Sequence, residues 1–399
     1  MNPLLSRLQP YPFEKLRALF EGVRPNPDVP PIALHIGEPK HPTPEFIKRA
    51  LSESLGSLSA YPATAGTPAL RETIAAWIKR RYRLPSIDPA RQVLPINGSR
   101  EALFAIAQVV IDPSDLSRRP VVVCPNPFYQ IYEGAALLCG AEPYFVNADP
   151  ERGFEEDFGS VPAEVWARTQ LVYVCSPANP SGRVMTLAQW KQLFELSDRH
   201  GFVVASDECY SELYVDESSP PLGALEAAHA LGRHAFERLV VFSSLSKRSN
   251  VPGMRSGYVA GDARLIEAFL LYRTYHGSAM SPAIQAASIA AWGDEAHVIE
   301  NRRLYRQKFE AVRPLINSPL QTTMPEAGFY FWVRTPGDDA AFARDFLAAC
   351  NVTVLPGSFL ARESRGLNPG LNHIRLALVA PLAECVEAAQ RLSQFSSRQ

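Results

Sequence analysis

Residues 239–258, LVVFSSLSKRSNVPGMRSGY, form an apolar run that ends in hydroxyls and continues to Lys247 and, eight residues later, Arg255. A lysine ammonium is strongly hydrated and its pKa falls readily on desolvation. A lysine among Ser243, Ser244 and Ser246 at a strand end is therefore suited to act as an amine nucleophile. Arg255 supplies a fixed fork of donors for a phosphate. In isolation S-x-S-K reads more often as a surface turn with ordinary charges, so residues elsewhere must decide.

Several of them stand at the ends of apolar runs. In FVVASDECYSELY, Asp207 directly follows a buried strand, where an unpaired carboxylate is costly, and a protonated ring nitrogen would suit it as partner. Tyr210 lies three residues on. In LVYVCSPANPSG, Asn179 is a side-chain donor just beyond a strand. Gly98, Ser99 and Arg100 separate the strand QVLPI from an amphipathic helix expected to begin at Glu101. Unpaired N–H groups at such a helix start bind phosphate, although many similar turns bind nothing. Phe128, Tyr129 and Tyr132 follow VVVCPN, either as packing or with one ring flat on a planar cofactor. Gly37, in IALHIGEP, either turns the chain or brings its backbone close to a ligand. Tyr61, in a loop before a helix starting near Thr67 and Pro68, means little alone. Arg375 sits inside the apolar run LNHIRLALV, unusual for arginine unless it meets an anion, whether from a ligand or an internal salt bridge.

These residues need strands to position them. Four or more strand-then-helix units alternate from about residue 92 to 260, each strand ending in one of the polar residues above. This predicts a doubly wound α/β domain with its ligand at the strands' carboxyl ends. Before it lie a short helix over 13–22, a proline-rich connector, PNPDVPP (25–31), and a helix over 44–55. After it, from about residue 290, come a long polar helix, the strand GFYFWVR (328–334), a helix over 338–350, NVTVLPGSFL and a strand over 371–379. This part reads as a small α+β unit packed with the N-terminal arm. The expected division is an arm with part of the small domain (1–43), a large domain (44–290) and a small C-terminal domain (291–399).

Composition narrows the function class. With 399 residues, 46% hydrophobic and 20% charged, the chain reads as soluble and globular, long enough to enclose a cofactor. Lys+Arg 40 against Asp+Glu 41 leaves no basic excess for nucleic acid or an anionic membrane. The expected partner is a small molecule. Six scattered cysteines without a C-x-x-C pair suggest reduced thiols and no metal site, hence a cytoplasmic protein. The opening MNPLLSRLQPYPFEKLRALFEG resembles neither a secretory signal nor a membrane span.

Taken together, N-P-S-G, S-D-E-C-Y and S-L-S-K-x7-R, with Asn179, Asp207, Tyr210, Lys247, Arg255 and Arg375 in that order, resemble the class I aminotransferases of the fold-type I pyridoxal-phosphate enzymes. The resemblance spans nearly the entire chain and implies a large mixed-sheet domain with a small α+β domain. It implies that Lys247 forms a Schiff base with pyridoxal 5'-phosphate and moves a proton between Cα and C4′. Asp207 would keep the pyridine nitrogen protonated, making the ring an electron sink. Tyr210 and Asn179 would bond the ring's phenolic oxygen, and Tyr129 would stack on the ring. The phosphate would be held at Gly98, by Ser99 and Arg100 backbone N–H groups, and by Ser244, Ser246 and Arg255. Tyr61 would reach the neighbouring subunit's phosphate, implying a homodimer with shared sites. Gly37 and Arg375, helped by Asn179, would take the substrate α-carboxylate.

Two departures stand out. Arg100 replaces a small residue of some relatives, and no arginine in HGSAMSP (276–282) matches the distal one of aspartate-specific relatives. LQPYPFEKLRALF, IGEPKHPTP, NGSREALF and PNPFYQIYEGA look most like the succinyldiaminopimelate aminotransferases of bacterial lysine biosynthesis. The expected reaction thus joins glutamate and 2-oxoglutarate to N-succinyl-2-amino-6-ketopimelate. Arg17 and Arg24, on a mobile arm over 10–31, are candidates for its far end. The alternatives are an aspartate, alanine or aromatic aminotransferase, or a pyridoxal-phosphate C–S lyase. A pyridoxal-phosphate-binding regulator would need a DNA-binding domain for which no residues remain.

Overall fold

A computed structural model describes residues 1–115 and 117–397; the last two residues of the expected C-terminal domain lie outside the described residues. The strands in chain order are β1 (Ile32–Ala33), β2 (Val93–Ile96), β3 (Val121–Asn126), β4 (Glu142–Asp149), β5 (Glu155–Glu156), β6 (Thr169–Cys175) and β7 (Val203–Asp207). They continue as β8 (Leu239–Ser244), β9 (Gly257–Gly261), β10 (Tyr330–Arg334), β11 (Val352–Thr353), β12 (Leu355–Pro356) and β13 (His373–Ala377). An eight-stranded sheet runs in the order β2-β9-β8-β7-β6-β3-β4-β5. β3, β4, β6, β7 and β8 are mutually parallel, whereas β9 is antiparallel to both its neighbours and β5 is antiparallel to β4. The sheet is mixed, as the resemblance implies.

Successive side chains of a strand point to opposite faces, and here both faces are covered. Val121 and Val123 enter one hydrophobic cluster with Val172, Val204 and Val241. Their neighbours Val122 and Cys124 enter another, with Leu171, Ala205 and Val240. Burial on two faces explains why these strands read as continuous apolar runs rather than alternating ones. Each fully buried valine contributes about 1.5–3 kcal/mol of transfer free energy. Helices Pro68–Arg81, Leu187–His200 and Pro282–Gly293 supply apolar residues to the first cluster, and helices Ser99–Val110 and Ile131–Leu138 to the second.

A second core surrounds the antiparallel sheet β10-β13-β12, where Phe331, Ile374 and Leu376 pack with Phe342 and Phe346 of helix Asp339–Cys350. Ile32 and Leu34 join it, because β1 pairs in parallel with β11 across most of the chain's length. The arm's helix, Pro12–Leu19, is shorter than the expected 13–22 and buries Leu16 beside Trp332, Leu355 and Leu360. Among the described residues no helix is long and apolar enough to cross a membrane.

Candidate active site

The parallel strands deliver their ends to one edge of the large sheet. β8 ends at Ser244, whose extended backbone caps the four-residue helix Leu245–Arg248 and whose Oγ accepts from the Ser246 N–H at 3.1 Å. One turn later stands Lys247. β7 ends at Asp207, β6 leads to Asn179, β3 to Tyr129 and β2 to Gly98. β9 runs the opposite way, so Arg255, just before it, comes to the same edge. Together with Gly37, Tyr330 and Arg375 these residues, apart from Gly98 at its rim, line a cavity of about 620 Å³.

The charges in this cavity are incompletely matched by protein. Asp207 is 5% exposed; its Oδ2 accepts from the Tyr132 hydroxyl at 2.8 Å and its Oδ1 from the Cys209 N–H at 3.2 Å. Burial raises its pKa, opposed by those two hydrogen bonds and the charge of Lys247. Lys247 donates to the Gly37 carbonyl at 2.6 Å, and burial pushes its ammonium down to about 8. Arg375 is 4% exposed, lies 4.4 Å from the Tyr330 ring centre, and donates to Asn179 Oδ1 and the His35 carbonyl, both at 2.9 Å. Its Nε is buried without a partner, and among the described residues it makes no ion pair. The sequence left open an internal salt bridge for Arg375; its observed protein acceptors are neutral. A buried guanidinium of this kind awaits an anion.

At the other end of the cavity, Gly98 has φ 83°, and a Cβ there would lie 2.2 Å from Arg255 Nη2, so only glycine lets that guanidinium lie against the turn. The following helix, Ser99–Val110, starts two residues earlier than expected, which places Ser99 and Arg100 in its first turn with unpaired N–H groups. Ser244 Oγ donates to Ser246 Oγ at 2.9 Å. Among the described residues Arg255 donates only to the Pro252 carbonyl. Hydroxyls, helix N–H groups and one unneutralised guanidinium make a phosphate-sized anion site. Tyr129 accepts from Arg100 Nε at 2.6 Å on the cavity wall.

Gly37 has a steric reason of its own, since a Cβ would stand 1.9 Å from the Tyr330 hydroxyl. That hydroxyl pairs with Tyr210 Oη at 2.9 Å. Tyr330, His35, Glu38 and Cys209 escaped the sequence reading. Tyr330 lies in GFYFWVR, where aromatic residues alternate on both faces and nothing local says which face meets a ligand. Tyr61 does not line the cavity and is 104% exposed, and Arg17 and Arg24 are exposed away from it. Tyr11 and Phe13 of the arm do line it. Of the residues expected to hold cofactor or substrate, Tyr61, Arg17 and Arg24 stay outside the cavity, and the others are brought to it or to its Gly98 rim.

Comparison with known proteins agrees with this geometry. The family model described as aminotransferase class I and II matches residues 29–392. A curated relative, the LL-diaminopimelate aminotransferase of Desulforudis audaxviator, is 31% identical over 97% of this chain and 96% of its own length. Among solved structures, an aminotransferase from Neisseria meningitidis superposes with a TM-score of 0.96 at 53% identity, covering 99% of this chain and all of its own. A probable N-succinyldiaminopimelate aminotransferase from Thermus thermophilus gives 0.84 at 25% identity over 96% of this chain and 99% of its own. The chain belongs to the class I and II aminotransferases, a pyridoxal-phosphate-dependent family.

Proposed function

We propose that the chain transfers an amino group between glutamate and N-succinyl-2-amino-6-ketopimelate. The observation that carries the reading is Arg375, a buried cation with only neutral protein acceptors, in the same cavity as Lys247. Both substrates present a carboxylate beside the reacting carbon, so one bidentate contact serves both half-reactions. Pyridoxal phosphate, when bound, supplies an aldehyde carbon and an electron-withdrawing ring. Lys247, its ammonium pKa lowered by burial, would carry the proton between the substrate Cα and the cofactor. Asp207 would keep a proton on the ring nitrogen, and donation from Tyr132 and the Cys209 N–H favours its ionised form for that role. Tyr210, backed by Tyr330, and Asn179 donate to the ring's phenolic oxygen. Tyr129, on the cavity wall, would lie against the ring. Ser99, Arg100, Ser244, Ser246 and Arg255 hold the phosphate, and Gly37 leaves room for the α-carboxylate.

The far end decides between substrates. The cavity wall carries Arg100, Lys247, Arg255 and Arg375 against Glu38 and Asp207. A second ammonium, as in LL-diaminopimelate, finds only Glu38 beyond the cofactor, whereas a succinylated nitrogen is neutral and brings one further carboxylate that Arg100 can meet. The second reading, LL-diaminopimelate itself, rests on the name of the Desulforudis relative. Mass-detected transamination with 2-oxoglutarate should favour N-succinyl-LL-2,6-diaminopimelate over the unsuccinylated compound by about tenfold or more. Preference for the latter, or for aspartate, replaces the substrate and leaves the aminotransferase.

Assembly is part of the same reading. Exposed Tyr61, with Leu55, Leu58, Leu271 and Tyr275 also exposed, fits a homodimer in which each subunit's Tyr61 completes the other's phosphate site. Hybrids of inactive Lys247→Ala and Tyr61→Phe subunits then contain one site with both defects and one with neither. Activity should partly return; demonstrated hybrids that stay inactive place Tyr61 within its own subunit.

A further inference from the structure

The helix that carries Lys247 has only four residues, Leu245–Arg248. Helix nucleation is unfavourable, and the carbonyls at a helix end have no partner within the helix, so so short a turn must be held from outside. At its start Ser244 does this. At its end one remote side chain does: Asn301 of helix Ala296–Val312, 2% exposed, whose Nδ2 donates to the carbonyls of Lys247 at 3.1 Å and Arg248 at 3.4 Å. Its Oδ1 accepts from Asn250 Nδ2 at 3.0 Å and meets His41 Nδ1 at 2.9 Å. Carbonyls only accept, so the atom facing them must be the NH2, and His41 must therefore carry its proton on Nδ1. Every hydrogen-bonding position of the Asn301 amide has a partner, and its orientation is fixed.

The network joins three distant segments, around His41, Lys247 and Asn301 itself. His41 stands four residues after Gly37, whose carbonyl accepts from Lys247 Nζ, and Thr43 Oγ1 donates to the Asn250 carbonyl at 2.9 Å. The arm thus grips the lysine turn by its side chain and, through Asn301, by its backbone. The His41 ring also lies 4.5 Å from that of Tyr305, one turn along the Asn301 helix. On the other side Arg248 is locked between Trp77 and Trp292 and donates to the Ala291 carbonyl at 2.7 Å.

We propose that Asn301, oriented by His41, is a positioning residue that sets the backbone of Lys247 and hence the aim of its amine. The inference rests on the assignment of Lys247 as the proton-carrying lysine, and the test separates the two. Asn301→Asp is nearly isosteric but turns an acceptor toward two carbonyls; Asn301→Ala removes the bonds altogether. In single turnover with saturating L-glutamate, both variants should slow by about 10- to 100-fold while half-saturation stays within about threefold. In the cofactor-free protein, backbone hydrogen exchange over residues 245–251 should speed up in both. If Asn301→Asp keeps the wild-type rate and exchange, or if the loss follows only the folded fraction in a thermal scan, the proposal fails. Should neither variant fold, His41→Ala, which leaves the amide but removes the donor that orients it, must show the same pattern at smaller size; unchanged rate and exchange there overturn it. Wild-type turnover abolished by Lys247→Ala upholds the underlying assignment independently, and a Lys247→Ala variant that still turns over removes it.

Discussion

Asp207 and Glu208 are adjacent, both acidic, and 5% and 1% exposed. They leave the end of β7 in opposite surroundings. Asp207 enters the cavity with two protein donors and a lysine whose own protein acceptor is a carbonyl. Glu208 enters packed protein, where it accepts from the Tyr82 hydroxyl and the Ala224 N–H, each at 2.7 Å, and from Ser206 at 3.1 Å. Beside it Arg81 pairs with Glu212 at 2.7 Å. Burial raises the pKa of both carboxyls, that of Glu208 to about 7. The difference is what surrounds the charge. Glu208 is satisfied by the fold alone, while Asp207, Lys247, Arg255 and Arg375 are cavity charges matched mainly by neutral groups, which is the condition for binding a charged small molecule.

Substitution should separate the two neighbours. On the proposed function, Asp207→Ala removes the group that would keep the ring nitrogen protonated, so its barrier should rise by about 2–4 kcal/mol, read as kcat on the folded protein. Its melting temperature should change little. Unaltered turnover makes Asp207 merely structural and breaks the comparison.

Glu208→Gln should show the smaller, opposite pattern, with activity kept and the pH dependence of stability changed. Because its folded pKa lies above the unfolded value, protonated Glu208 contributes its full stability below about pH 4.5, and the contribution is lost as pH rises through about 7. Glutamine does not titrate. Between pH 4.5 and 7 the wild type should therefore lose stability relative to the variant, by no more than about 3 kcal/mol. Denaturant titrations at both ends check it, and a constant difference contradicts the assignment of Glu208 as a protonated packing group.

The sequence made the large sheet and most of its edge legible for one physical reason. Strands buried on both faces must be continuously apolar, so the polar residue at or just beyond the end of each stands out, as Asp207, Ser244 and Asn179 do. Residues whose place depends on remote packing were not legible. Tyr330 reaches Tyr210 and Gly37 only through the register of β10 on β13, and Asn301 lies in a helix whose many polar residues hide the one that turns inward. The helix after Gly98 was expected two residues late because Ser and Arg are tolerated on either side of a helix start. β4, with polar Asn147 and Asp149 in its second half, carries no clear strand pattern.

On the proposed function, this cavity holds pyridoxal phosphate on Lys247. Borohydride reduction of the purified protein loaded with pyridoxal phosphate, followed by proteolysis and mass spectrometry, reads it directly. The prediction is a single pyridoxyl adduct on the peptide containing Lys247. A label on another lysine, with Lys247 unmodified, would contradict it.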